Sequence, residues 1–149
     1  MRIGAQRVRP PLPGRRVRQV IATVLEGERR SAGRAARRSA RSLRSLSITF
    51  LSAPAMRQLN RAWKGRDCPT DVLAFALPEP DGGLTGDVYI CPTVAAAEAR
   101  SRRIPAREEL VRLVVHGLLH VLGYDHPAST ARMRSPMWRR QERYVKVLA

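Results

Sequence analysis

Acidic residues are scarce in this sequence: twelve Asp and Glu stand against twenty-eight Lys and Arg, a formal net charge of +16. That imbalance favours a polyanionic partner, nucleic acid or an acidic membrane surface, acting through counterion release and steering. A composition that prefers Arg and Ala over Lys is the alternative source of the same charge. Long apolar runs are missing. No stretch of about 18 apolar residues occurs, so no membrane span is expected. The N-terminus has arginines but no apolar segment followed by a small-residue cleavage site, so no secretion signal is expected and the cytoplasm is the default compartment. Cysteine is nearly absent: Cys68 and Cys91 form no CxxC pair, which removes a disulfide scaffold or cysteine metal site and leaves two reduced thiols. No internal repeat or second domain is visible, and 149 residues suit one domain with a real core.

Apolar periodicity then places the elements. Val17, Val20, Ile21, Val24 and Leu25 recur at helical spacing, predicting a helix over 16–29. The segments 1–16 and 30–44 read as flexible basic stretches, the first broken by Pro10, Pro11 and Pro13 after a short strand through Ile3, Ala5 and Val8. The second has only Leu43 as a sizeable apolar residue, a solvated loop or loose helix. Alternation at Leu46, Ile48 and Phe50 predicts a strand. Ser52 is placed to cap a helix with Pro54 in its first turn and Met56 and Leu59 facing inward, ending at Gly65. Residues 70–77 and 86–90 read as strands around a turn at 78–83, and 92–102 as a helix. A further helix starts after Pro105, with Glu108 and Glu109 favourable to its dipole, and carries a broad apolar face through Val121. Residues 129–148 are helical with a break at Pro136. The expected class is α+β: a single domain over 1–149, with a small mixed sheet packed by helices.

Histidine is the rarest feature that carries chemistry. All three lie in one stretch, at 116, 120 and 126. His116 and His120 share a helix face, Gly123 permits the helix to end in a left-handed residue, and the reversal returns His126 toward the other two. A lone histidine on an apolar face is usually a core or surface residue. Three at spacings of four and six, with glycine between the last two, match the ligand frame H-E-x-x-H-x-x-G-x-x-H of zinc proteases. A site for one zinc-type ion with an open fourth position is therefore expected on His116, His120 and His126. Gly117, however, stands where those proteases carry the glutamate base. Without it, peptide hydrolysis is disfavoured, and the positive charge directs the expectation to phosphodiesters.

The stretch His116-Gly117-Leu118-Leu119-His120-Val121-Leu122-Gly123-Tyr124-Asp125-His126 resembles the H-G-x-L-H-L-x-G-Y-D-H signature of the YbeY family of bacterial endoribonucleases and rRNA maturation factors. Leu59-Asn60 through Pro69-Thr70-Asp71-Val72-Leu73-Ala74-Phe75 is similar to the family's L-N-x-x-Y-R-x-K-D-x-P-T-D-V-L-S-F. Gly86-Asp87-Val88-Tyr89-Ile90-Cys91 is similar to its G-D-I-x-I-x strand, and Met137 and Gln141 fit its C-terminal helix. The resemblance implies a single α+β domain with one zinc ion on His116, His120 and His126. It also implies cleavage of single-stranded RNA, maturation of the 16S rRNA 3′ end on the small ribosomal subunit, and ribosome quality control, with ribosome-associated proteins as further partners. The alternatives are a ribosome-assembly RNA-binding factor with a structural metal and, less favoured, a metallopeptidase.

The second block departs from the pattern. Trp63-Lys64 replaces Tyr-Arg, and Arg66 replaces the lysine before Asp67. The resemblance places Lys64 beside the three histidines as a catalytic residue that binds RNA or steadies charge, with the charge kept but the bidentate fork lost. Arg66 is placed to share that role. Trp63 reads as a packing residue rather than a base-stacking platform. Asp71 either orients a histidine or satisfies backbone amides at the strand entry. Asp87 and Asp125 read as structural, the latter in the turn before His126.

Overall fold

The computed structural model describes residues 7–149. Ile3 and Ala5 of the expected first strand lie outside that range. At its inner end, Val8 N donates to Phe50 O at 3.1 Å and Arg7 bridges Leu51.

Helix α1 (Gly14–Ser31) buries Val20 and Val24 on its apolar stripe. Segment 30–44, expected as a flexible basic stretch in the form of a solvated loop or loose helix, contains helix α2 (Arg34–Ser42) packed on α1. The apolar residue count missed the reason. Ala40 is fully buried, Arg29 Nε donates to Ala40 O at 3.2 Å, and Arg37 donates to Ala32 O at 3.2 Å at the end of α1. Arginine-to-carbonyl bonds pin α2 where large side chains do not.

Strand β1 (Leu43–Phe50) follows directly, then helix α3 (Ala53–Lys64), strands β2 (Val72–Pro78) and β3 (Leu84–Ile90), and helices α4 (Pro92–Arg102) and α5 (Ala106–Val121). A 3₁₀ turn (Thr130–Arg134) and helix α6 (Pro136–Leu148) complete the chain. Ser52 Oγ accepts from Ala55 N at 3.3 Å as the expected cap of α3, and Gly65 ends that helix at φ 69°. The sheet order is β1-β3-β2, with β1 parallel and β2 antiparallel to β3, so Val88 sits between Ile48 and Ala74.

Successive side chains of a strand face opposite ways, and both faces are covered. Val88 and Ile90 join the larger core with α5, whereas Leu73 and Cys91 join Met56 and Leu59 of α3. Helix α5 is the hub, packed against β2, β3, α1, α4 and α6. Its apolar residues are buried almost all round, including Val114, Leu118 and Leu119. Truncating Leu118 to alanine would cost about 2–5 kcal/mol.

Two glycines set how closely α5 approaches the sheet. A Cβ at Gly117 would sit 2.5 Å from Val88 Cγ1, and one at Gly86 would sit 2.6 Å from Val121 Cγ1. One glycine is on the helix and the other on the strand, and each receives a valine from the opposite element. The missing glutamate at position 117 is thus a packing requirement: that position faces β3.

Candidate metal centre and its cleft

His116 and His120 project from consecutive turns near the end of α5. The helix then closes in a Schellman arrangement: Tyr124 N donates to Leu119 O at 3.0 Å, Gly123 N donates to His120 O at 3.0 Å, and Gly123 adopts φ 101°. Asp125 Oδ1 accepts from His126 N at 2.8 Å, the structural role expected for that aspartate. The chain is thereby turned back so that His126 meets the other two rings.

The three Nε2 atoms converge. His126 Nε2 lies 3.2 Å from His120 Nε2 and 3.3 Å from His116 Nε2. Every Nδ1 is committed elsewhere: His116 to Gln141 Oε1 at 2.6 Å, His120 to Tyr124 O at 3.0 Å, and His126 to Pro127 O at 2.8 Å. An amide or backbone carbonyl oxygen only accepts, so each Nδ1 carries a proton, and in the neutral form of each ring the lone pair left for a ligand is on the inward Nε2. The Gln141 amide cannot be reversed, because its Nε2 donates to Glu142 Oε2 at 3.0 Å and a carboxylate has nothing to donate. Burial pushes the His116 imidazole down to about 4, with the neighbouring histidines adding to the effect against Gln141, and burial also lowers His120. Three inward lone pairs at van der Waals distance repel unless a cation lies among them. The donor set fits a divalent metal ion, and an all-imidazole set suits zinc.

The histidines are held from behind by two networks. Gln141, fully buried on α6, reaches Arg112 through Glu142, which Arg112 Nη2 meets at 2.9 Å. Arg112 also bonds Glu109 at 3.0 Å, and Arg102 Nη1 meets the same Glu109 carboxylate at 3.1 Å. Glu109, read from sequence as a favourable first-turn charge, is therefore also an internal ion-pair partner. Its carboxyl is pushed up by burial against the opposing pull of Arg112, while Glu142, facing the same burial, is held low by Arg112 and Gln141. On the other side, Glu28 of α1 is fully buried and accepts from Tyr124 Oη at 2.6 Å, Tyr144 Oη at 2.7 Å and Arg140 Nε. Burial, and then the Glu28 carboxylate, push the Tyr124 phenol up to about 12.

A cleft of about 720 Å³ opens over the histidines, with Lys64, Arg66, Asp71 and Arg132 on its walls. Lys64 is near enough for its charge to contribute, after burial and His126, to the lowering of His120. The 65–68 loop is tied down by a bidentate Arg57–Asp67 pair at 2.8 and 3.0 Å, and by buried Asn60, whose Nδ2 donates to Cys68 O at 2.9 Å. Asp71 accepts from Val72 N at 2.8 Å and from Thr70 Oγ1, not from a histidine, so of its two readings the backbone one applies. Its carboxyl is raised by burial. Asp87 accepts from Ser47 Oγ across the β1–β3 pair. Trp63 is not a core residue: its ring lies 5.4 Å from that of Phe75, yet it is 65% exposed. Arg132, Glu28 and the Arg112 network escaped the sequence reading, for no local pattern separates them from the other charges.

Comparison with known proteins places the chain in a family. The family described as Endoribonuclease YbeY matches residues 7–149. A protein named Endoribonuclease YbeY from Anaeromyxobacter sp. (strain Fw109-5) is 49% identical over 92 residues, covering 59% of this chain and 48% of that one. Another of that name from Thermotoga sp. (strain RQ2) is 36% identical over 101 residues, covering 68% of this chain and 65% of that one. These matches span about half to two thirds of the relatives' length. A solution structure from Thermotoga maritima superposes with a TM-score of 0.58 at 27% identity, covering 90% of this chain and 79% of that one. With the family's pattern running through every described residue, the chain belongs to the Endoribonuclease YbeY family.

Proposed function

We propose that the chain is a metal-dependent endoribonuclease that cuts single-stranded RNA, acting in maturation of the 16S rRNA 3′ end in the cytoplasm, with zinc on His116, His120 and His126. The observation that carries this reading is the convergence of the three Nε2 atoms, with every Nδ1 set on an oxygen acceptor, at the base of a cleft that has Lys64, Arg66 and Arg132 on its walls. The names of the relatives support the substrate class.

When bound, the ion supplies a positive charge that polarises the phosphodiester and stabilises charge developing on it. The chain's own residues do the rest. Lys64 acts as the catalytic cation beside the ligands, and Arg66 and Arg132 hold flanking phosphates. Gln141 and the Tyr124 carbonyl keep His116 and His120 in the ligating tautomer, so no ring rotates when RNA enters. A peptide-cleaving reading loses its base at Gly117, where Val88 occupies the space a side chain would take.

The test is cleavage of a defined single-stranded RNA by protein of measured metal content, beside His120→Ala. Loss of both metal and cleavage in the variant is expected. Undiminished cleavage by purified His120→Ala protein would overturn the proposal. A fully metal-loaded parent that binds rRNA without cutting it would establish the assembly-factor alternative instead.

A further inference from the structure

Helix α2 begins against its own electrostatics. It begins at Arg34 with no side-chain cap and no acidic residue in its first turn, so positive charge meets the positive end of the helix dipole. Arg34, Arg38 and Arg41 are exposed at spacings of four and three, a like-charged stripe along one face, and such pairs are destabilising. None of the three makes an ion pair or side-chain hydrogen bond among the described residues. The chain provides no local remedy, since no Asp or Glu occurs between Glu28 and Asp67. The other arginines nearby are in use: Arg30 pairs with Glu26, Arg44 with Asp81, and Arg29 and Arg37 bond carbonyls that anchor α2 to α1. The stripe is therefore held in place by bonds that leave its own guanidinium groups free. Arg34, Arg38 and Arg41 line a shallow depression together with Ser39 and Ser42.

The stripe is also separate from the cleft. Helix α2 runs into Leu43, which pairs with Leu84 at the start of β3, whereas the cleft is walled by Asp71 and Val72, and Val72 pairs with Ile90 at the end of β3. The two positive surfaces lie toward opposite ends of the sheet.

We propose that Arg34, Arg38 and Arg41 form a second RNA-binding surface, which holds the phosphate backbone of a strand engaged at the histidine cleft. This rests on the RNA-cleaving reading for the identity of the polyanion. The stripe grips backbone charge without reading bases, so it matters for RNA long enough to reach both surfaces. It raises affinity by making the second contact intramolecular.

The test is the combined variant Arg34→Gln, Arg38→Gln, Arg41→Gln, which removes the charge and keeps good helix formers. Binding of 2′-O-methylated polyuridylate and of a uridine trinucleotide is measured across a salt series, with circular dichroism to verify folding. The variant should bind the polymer more weakly, with the slope of log K against log salt reduced by about 2, from three phosphate contacts at about 0.7 each. Trinucleotide binding and its cleavage rate should not change. An unchanged polymer slope in a folded variant would overturn the proposal. So would loss of binding to phosphatidylserine vesicles with RNA binding intact, which reassigns the face to lipid. If the parent never cleaves RNA yet loses polymer affinity in the variant, the catalytic reading fails while this surface stands.

Discussion

Glu28 and Tyr124 stand 96 positions apart, yet the Tyr124 hydroxyl donates to the Glu28 carboxylate at 2.6 Å, and the backbone carbonyl of the same tyrosine receives the His120 Nδ1 proton at 3.0 Å. One residue thus joins the first helix to a metal-ligand candidate. Because Tyr124 directly follows Gly123, pinning its ring also fixes the path that returns His126 to the site.

Replacing Glu28 with glutamine should weaken metal binding by about tenfold, as expected for loss of a group that orients a ligand. Arg140, mostly buried against Glu28, then lacks its counter-charge, and stability should fall by about 1–3 kcal/mol. Competition with a chelating dye and urea unfolding measure the two effects. Tyr124→Phe should act in the same direction and more weakly. Unchanged metal affinity in a folded Glu28→Gln protein would show that the tether plays no part in ordering the ligands.

Gly117→Glu restores the protease-like pattern on paper and should yield no peptidase. Even Gly117→Ala should destabilise the chain by about 1–3 kcal/mol, since its Cβ meets Val88 Cγ1 at 2.5 Å in a packed interior. Denaturant midpoints check this. An alanine variant as stable as the parent would mean that α5 and β3 can separate at little cost.

Lys64→Ala should leave metal content unchanged and reduce RNA cleavage on the order of tenfold, through loss of a charge-assisted phosphate contact. Lys64→Arg should retain most activity, because a guanidinium supplies the same charge with a second donor. Steady-state kinetics at fixed metal occupancy provides the comparison, and full activity in the alanine variant would remove Lys64 from the site.

Metal-free protein should lose stability as the pH falls from about 6.5 toward 4. In that window the unfolded chain protonates its histidine at the ordinary value of 6.5, while buried His116 stays neutral down to about 4, so protons favour unfolding. His120, also lowered by burial, acts in the same direction. Melting temperatures between pH 7 and 5 read this directly, and His116→Gln should flatten the curve. A flat profile in the unsubstituted metal-free chain would contradict the burial of the ring.

Much of the site was readable because its parts are close in sequence. The spacing of His116, His120, Gly123 and His126 contains the helix turn and the helix stop, both local properties of the backbone. The same holds for Ser52 and Gly65, which start and end α3 by capping and by positive φ. Helix α2 is only half legible, as one of two expected forms of its segment, because it is held by arginine-to-carbonyl bonds between α1 and α2, a tertiary event in a segment almost without large apolar residues. Trp63, expected as a packing residue, does pack its ring against Phe75, but its position at the end of α3 leaves most of the indole in solvent.

The primary structure determined the histidine trio, the α+β alternation and the charge, because each depends on residue identity at short spacing. Packing alone decided what orders the trio. Gln141, Tyr124 and Pro127 supply the oxygens that select the histidine tautomers, and Glu28 and Arg112 brace the first two of these from helices distant in sequence. It also gave Gly117 its meaning: the sequence shows an absent glutamate, and the fold shows a helix lying so close to a strand that no side chain fits there. Hydrogen-bond direction and interatomic distance are properties of groups brought together, and they exist only once the chain has folded.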